Sequence, residues 1–252
     1  MQKVIVLQAR MNSSRLPGKV MLPLAGKPLL WHILERLKHA GTADRICVAT
    51  TVEESDNEIE KFCISQGVAV VRGSENDVLS RYIQAAFAMN AGVVVRATAD
   101  NPLVHPDGVD AELDYLESHP DCDYASMKKL PLGTMVEAFT LRTLEKLDYI
   151  AKDEIYREHV TFYLHDRRGM HGFNMADLPV ETGLAKPELR LTVDTREDYE
   201  LMSRIYDALY NEGEIIDLRD VVGFVSSNPE LANLNRGVFQ VPAIQILESV
   251  LS

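Results

Sequence analysis

The sequence predicts an α/β fold in which a mainly parallel, Rossmann-like sheet carries helices on both faces. Two observations lead to it: short β-branched runs alternate with helical patterns along the chain, and three βα units fit into the first hundred residues. A third sets the scale, because 252 residues that are 46% hydrophobic and 25% charged are enough to bury a sizeable core.

In order, KVIVL (Lys3 to Leu7) reads as a buried strand, and Pro28 to Ala40 as a helix with a proline in its first turn and Gly41 ending it. RICVAT (Arg45 to Thr50) is a second strand. Ser55 with Glu58 reads as a capping box opening a helix to about Gln66, Ala69 to Arg72 as a third strand, and Asn76 to Ala91 as a helix. VVVRAT (Val93 to Thr98) is a fourth strand, closed by Ala99, Asp100, Asn101 and Pro102. The second half predicts strands at Tyr124 to Met127, Val136 to Thr140, His171 to Asn174 and Leu189 to Val193. It also predicts helices near Leu141 to Ala151, Tyr156 to His165, Glu197 to Tyr210 and Leu218 to Val225, completing the same sheet. One domain over residues 1–235, less regular from about 120, and a tail over 236–252 follow from this order.

Composition narrows the function. No run reaches the roughly 18 apolar residues of a membrane span and no signal-peptide pattern follows Met1, so a cytoplasmic protein is expected. Cys47, Cys63 and Cys122 form no CxxC pair, which argues against a disulfide framework or a zinc ribbon. A net charge of -12 opposes a nucleic-acid surface. Yet residues 1–34 contain no Asp or Glu while Lys3, Arg10, Arg15, Lys19 and Lys27 are cationic, so a small anionic ligand is the economical explanation.

The loop after the first strand, Gln8-Ala9-Arg10-Met11-Asn12-Ser13-Ser14-Arg15-Leu16-Pro17-Gly18-Lys19, combines small residues with three cations at the carboxyl end of a parallel strand, where ligands of such sheets bind. It matches neither GxxxxGK[ST] nor GxGxxG. A solvated basic turn is the competing reading. Asp100, at the end of a strand, has the position and oxygen chemistry to hold a hard cation, or else it is a turn residue before Pro102. Asp194 stands likewise between a predicted strand and a helix, where the competing reading is a helix cap. Asp121-Cys122-Asp123 is a DxD pattern, but it precedes its strand and reads as a solvated turn.

LQARMNSSRLPGK followed by LPLAGKPLL resembles the signature of the cytidylyltransferase family of the spore coat polysaccharide (SpsF) type, related to CMP-sugar-acid synthetases. RGSENDVLSRY (Arg72 to Tyr82), VVVRATADNPLVHP (Val93 to Pro106), REHVTFY (Arg157 to Tyr163) and LRLTVDTREDYEL (Leu189 to Leu201) resemble its segments in the same order. The resemblance implies a glycosyltransferase-A-like fold and a Mg²⁺-dependent transfer from CTP to a sugar or sugar acid in surface or spore polysaccharide biosynthesis. It further implies metal ligation by Asp100 and Asp194, a triphosphate grip by Arg10, Arg15 and Lys19, and Gln8, Ala9, Asn12, Ser13, Arg72 and Ser74 near the nucleotide. Arg81 resembles a residue of that neighbourhood too, or is only surface charge on a helix. His159 stands where the family carries a histidine. Glu137 matches the last residue of the family's GLDVE, whereas Met135 replaces its aspartate. A thioether offers little to a hydroxyl, so the substitution predicts an acceptor that is less hydroxylated or bears a methyl or acetyl group near Met135, with Glu137 contacting a polar group beside it. The rivals are a glycosyltransferase using a nucleotide-sugar donor and a non-catalytic nucleotide-sugar binder. The apolar tail (Val238, Phe239, Val241, Ile244, Ile246, Leu247, Val250, Leu251) raises a homodimer contact as an expectation.

Overall fold

A strand buried on both faces needs apolar side chains at every position, and the run VIVL in β1 (Gln2–Gln8) supplies them. Ile5 and Leu7 enter one apolar cluster, Val4 and Val6 the other. The computed structural model describes residues 2–166 and 172–238. Around β1 the seven-stranded sheet runs β5 (Ala69–Gly73), β4 (Arg45–Thr51), β1, β6 (Ala91–Thr98), β8 (Glu137–Thr140), β7 (Tyr124–Ser126), β9 (Met175–Asp177). Its pairs are parallel except where β8 runs antiparallel to β6 and β7.

Helices cover both faces, as the sequence predicts. One face packs α1 (Leu29–Leu37), α2 (Asn57–Ser65), α4 (Pro106–Ser118), α8 (Arg196–Leu209) and α9 (Leu218–Ser227) through Leu30, Ile59, Leu113, Ile205 and Val221. The other packs α3 (Val78–Ala88), α5 (Leu141–Ile150), α6 (Glu154–His159) and α7 (Phe162–His165) through Leu79, Leu144, Tyr156 and Leu164. A short hairpin, β2 (Pro23–Leu24) and β3 (Lys27–Pro28), turns through Ala25 and Gly26, both at positive φ. The chain continues into α10 (Pro229–Asn233). The three cysteines are free and buried; burial raises the Cys47 thiol to about 11 and the Cys63 thiol to about 12.

Five expectations change. The Ser55 capping box does not form, because residues 54–56 make a 3-10 turn that points Asp56 into the core and α2 starts at Asn57. The helix predicted from Tyr156 to His165 breaks into α6 and α7 at Val160, which adopts φ 51. The strand predicted at His171 to Asn174 begins outside the described residues, and the ladder forms at Met175–Asp177. Residues 189–193 make only an isolated bridge, Leu132 to Arg190, because their backbone groups also bond to Asp100. Finally, α4 escaped the reading although Pro106 occupies its first turn, because Gly108 and the acidic residues dilute its apolar stripe. Residues 239–252, which carry most of the predicted dimer contact, lie outside the described residues.

One buried acid makes folding pH-dependent. Glu112 of α4 is fully buried; Oε1 accepts from the Met127 amide at 3.2 Å, and among the described residues Oε2 has no partner at hydrogen-bonding geometry, with the Ala138 backbone beside the carboxylate. Burial, reinforced by the charge of Glu137, pushes its carboxyl well above the ordinary value. The folded chain therefore holds this proton to higher pH than the unfolded chain does. The resulting stability is complete below the ordinary carboxylate range and is lost as pH rises through the folded value. Glu112→Gln removes that dependence, so its melting temperature should gain on the wild type between pH 5 and pH 8, by about 2–4 °C for each kcal/mol. Two melting curves that stay parallel across that range would contradict this account.

Candidate functional site

Strands β1 and β6 are neighbours that end on the same edge, and the loops leaving them build the site: the Ala99 amide bonds Gln8 and the Ala9 amide bonds Ala49. The loop after β1 is tied down by Asp56, whose carboxylate accepts from the Met11 amide at 2.8 Å, the Thr50 hydroxyl at 2.9 Å and both the amide and hydroxyl of Thr51. Gly18, at φ 70, closes the loop by bonding the Met11 carbonyl at 2.9 Å, and the 3-10 turn Lys19–Met21 follows.

That turn buries Lys19 and aims its ammonium at two carboxylates. Nζ lies 3.3 Å from Asp100, 2.9 Å from Asp194 and 2.8 Å from the Val193 carbonyl. Arg15 and Arg190 each reach the other oxygen of Asp194 at 2.9 Å. Burial alone would raise the Asp194 carboxyl, but Lys19, Arg15 and Arg190 outweigh it and hold it below the usual range. Asp194 is no helix cap: Thr195 caps α8 in a capping box with Asp198. Asp198 in turn pairs with Arg190 at 2.8 Å and accepts from Asn235 at 2.9 Å, fixing the guanidinium beside Asp194.

These groups floor a cleft of about 560 Å³. From the first loop Gln8, Ala9, Arg10, Ser13, Arg15 and Lys19 line it, and facing them are Asp100, Met135, Glu137, His159 and Asp194. Three predicted residues lie elsewhere. Asn12 is exposed and bonds Glu75. Arg72 spends its guanidinium on the turn before α2, through the Thr51 and Glu53 carbonyls, Asn57 and Glu60. The Ser74 hydroxyl accepts from the Asp77 amide ahead of α3. Arg81 is not surface charge: it is 1% exposed, lines the cleft and donates to the Ser74 and Glu75 carbonyls. Asp121 and Asp123 stand outside the cleft, where Asp123 accepts from the Asn174 amide.

The opposite wall was only half legible. Glu137 accepts from Arg96 at 2.6 Å, from Tyr124 at 2.7 Å and from Thr161 at 2.9 Å. Burial would raise its carboxyl, but Arg96, with His165 and Tyr124, holds it far below the ordinary range. Both Glu137 oxygens thus have partners within the protein, while the residue still lines the cleft. Arg96 had a signal in the sequence, a cation inside an apolar strand, whereas Thr161 and Asp56 had none. Val160, β-branched yet at φ 51, turns the chain between His159 and Thr161, and such strain persists where the surrounding packing enforces it. Burial lowers the His159 imidazole, with Arg96 and Arg10 acting in the same direction.

Among the described residues no cluster of three or more His, Cys, Asp or Glu side chains converges as a metal cage. The pair Asp100 and Asp194 fits a different donor set. Hard cations of the Mg²⁺ kind are commonly held by one or two carboxylates plus phosphate and water oxygens, and these two carboxylates already share one cation, the Lys19 ammonium.

The profile of the cytidylyltransferase family matches residues 4–217. The chain belongs to that family. It is 33% identical to the spore coat polysaccharide biosynthesis protein SpsF of Bacillus subtilis over 91% of this chain and 96% of the other. It is 29% identical to the 3-deoxy-manno-octulosonate cytidylyltransferase of Alteromonas mediterranea over 62% of each. A cytidylyltransferase structure from Leptospira borgpetersenii superposes with a TM-score of 0.86 at 32% identity, covering 95% of this chain and 100% of that one. The resemblance and the Rossmann-like nucleotidyltransferase fold expected from the sequence are thus both met. The matched span contains the first loop, Asp100, Glu137, His159 and Asp194.

Proposed function

We propose that this protein transfers the cytidylyl group of CTP to a sugar or sugar acid, with Mg²⁺ as cofactor and pyrophosphate as the leaving product. The observation that carries the reading is the convergence of Lys19 and Arg15 with Asp100 and Asp194 on the cleft floor at the carboxyl ends of the strands. Arg10, Arg15 and Lys19 hold the triphosphate, while Gln8, Ala9 and Ser13 border the nucleotide. An acceptor oxygen attacks the α-phosphorus, the bond to the bridging oxygen breaks and pyrophosphate departs. Positioning and charge neutralisation account for most of the acceleration of such a step. Asp100 and Asp194 would hold the cation, which when bound neutralises phosphate charge. His159, poised to stay neutral at pH 7, and Met135 border the acceptor, and Glu137 organises its wall.

The kinship with SpsF and with a 3-deoxy-manno-octulosonate cytidylyltransferase supports a sugar-acid acceptor and a place in surface or spore polysaccharide biosynthesis. No helix among the described residues is long and apolar enough to cross a membrane, which accords with action in the cytoplasm. Residues 1–235 would work as one nucleotidyltransferase domain, with 236–252 as a tail. The glycosyltransferase alternative gains nothing from Asp121 and Asp123, which stand away from the cleft.

A thermal-shift panel with Mg²⁺ tests the base. CTP at about a hundred times its Kd adds roughly 2.7 kcal/mol, or about 5–10 °C, whereas ATP, GTP and UTP at equal concentration should shift the transition less. Equal shifts for all four would remove the cytidylyl assignment. Release of a nucleoside diphosphate from a sugar nucleotide, without pyrophosphate from CTP, would replace it by glycosyl transfer.

A further inference from the structure

A hollow of about 250 Å³ lies between α1 and the segment that follows α8, and it shares no lining residue with the cleft. Trp31, His32, Tyr206 and Tyr210 give it an aromatic wall, and Glu212 and Glu214 stand at its rim. The volume is small for a nucleotide and suits a short arm.

His32 sits at the centre of that wall. It is 3% exposed, and the rings of Tyr206, Trp31 and Tyr210 meet it edge to face at 4.6, 5.0 and 5.0 Å. Its Nε2 lies 2.6 Å from the Leu24 carbonyl oxygen, which can only accept, so that nitrogen carries the hydrogen and Nδ1 presents a lone pair. Among the described residues no donor reaches Nδ1. Burial lowers the imidazole, against the opposing pull of the Leu24 bond, so the ring stays neutral at pH 7.

The surrounding charges select among ligands. Glu212 and Glu214 are exposed and form no ion pair among the described residues. Arg36 is spent on the Val104 and Ile216 carbonyls at 2.7 and 2.6 Å. The Lys27 ammonium stands 5.6 Å over the Trp31 ring, so one ring of the wall already receives a cation. The Tyr210 hydroxyl lies beside the Gly213 backbone, which leaves the ring of that residue for a ligand. A metal ion is poorly served, because no cluster of three or more His, Cys, Asp or Glu side chains converges among the described residues. An anion would meet carboxylates and a lone pair. A protonated amine on a short alkyl stem brings N–H groups for the lone pair and the carboxylates, charge for the ring faces and a stem for Ile215.

The same wall braces both sides of the cleft floor. His32 bonds Leu24 in the hairpin that follows the turn bearing Lys19. The Tyr206 hydroxyl donates to the Pro102 carbonyl at 2.7 Å, and Arg36 holds Val104, both just past Asp100. Resting on the cytidylyl-transfer reading, we propose that this hollow is an effector site, where a small alkylammonium ligand steadies the Lys19 turn and the Asp100 loop for CTP. Each ligand then strengthens binding of the other by the same factor.

The test titrates the whole chain with butylammonium chloride by calorimetry, with tetramethylammonium chloride at equal ionic strength as the cation that lacks N–H groups. Butylammonium should saturate with a Kd of about 1 mM or tighter, and tetramethylammonium should bind about tenfold more weakly. Replacing both rim carboxylates, Glu212→Gln with Glu214→Gln, should weaken butylammonium about threefold or more; the two positions are exposed and outside the cleft, so CTP affinity in the absence of amine should not change. With CTP and Mg²⁺ saturating, the wild-type Kd for butylammonium should fall about fivefold or more, and the Kd for CTP should fall by the same factor in saturating amine. Binding that does not saturate, equal affinity for the two cations, or an unchanged Kd in the double variant overturns the site. Amine binding indifferent to CTP overturns the effector role. If CTP itself does not bind, the cytidylyl reading fails, while the amine titrations still decide whether the hollow takes its ligand.

Discussion

Asp194→Asn and Asp100→Asn should each lower the rate of pyrophosphate release by about a hundredfold or more, the scale seen when a group neutralising transition-state charge or holding a metal is lost. Binding of metal-free CTP should move differently. In the structure Asp194 offers one oxygen to Lys19 and the other to Arg15 and Arg190, so it competes with any triphosphate for the first two cations. Asparagine keeps the shape and removes the charge. Arg190 retains Asp198 at 2.8 Å, and the floor stays assembled. Metal-free CTP should consequently bind Asp194→Asn as tightly as the wild type or more tightly, while turnover with saturating Mg²⁺ collapses. Calorimetric titration without metal, set beside steady-state pyrophosphate release, separates the two effects. Near-native turnover in both variants would leave these aspartates with a purely structural role, and a parallel loss of CTP affinity and melting temperature would point to misfolding.

Gly133→Ala should be severely destabilising although it adds one methyl group. Gly133 has φ 94, and a Cβ there would sit 2.4 Å from the Thr192 nitrogen and 2.7 Å from the Leu191 carbonyl carbon, both backbone atoms. Neither can move alone, since Leu191 bonds Leu132 and Val193 bonds Asp100. Left-handed strain and the clash together should cost about 2–4 kcal/mol, or roughly 5–15 °C in melting temperature. Because the displaced segment carries Asp194, kcat should fall in the molecules that remain folded. Gly223→Ala provides the contrast: this glycine lies within α9 with nothing within 4 Å of an added Cβ, and alanine there should stabilise by about 0.5–1 kcal/mol. Urea denaturation of the pair checks both signs. A Gly133→Ala stability within about 0.5 kcal/mol of the wild type would refute the close approach.

The sequence by itself determined the alternation of strands and helices, and through it the edge at which the first loop and Asp100 emerge. A buried strand announces itself by consecutive β-branched residues, and a polar residue just past its end is exposed by the same rule. Lys19 and Arg15 were therefore legible as cleft residues and Asp100 and Asp194 as carboxylates at strand ends, while Glu137 and His159 were reached only through the ordered segments shared with the cytidylyltransferases. Only the tertiary structure decided the partners. Lys19 and Asp194 are 175 positions apart, Arg157 and Asp77 80 apart, and Met11 and Asp56 45 apart. It turned Asp56 inward as an anchor for the first loop, withdrew Arg72 to brace α2, buried Arg81, and committed Glu137 to Arg96 and Thr161. It also kept residues 189–193 out of the sheet, by giving their backbone groups to Leu132 and Asp100. Local patterns repeat over two to four residues and encode burial and direction. A long polar side chain reaches whichever backbone carbonyl or carboxylate the folded chain brings to it, and that choice has no period to read.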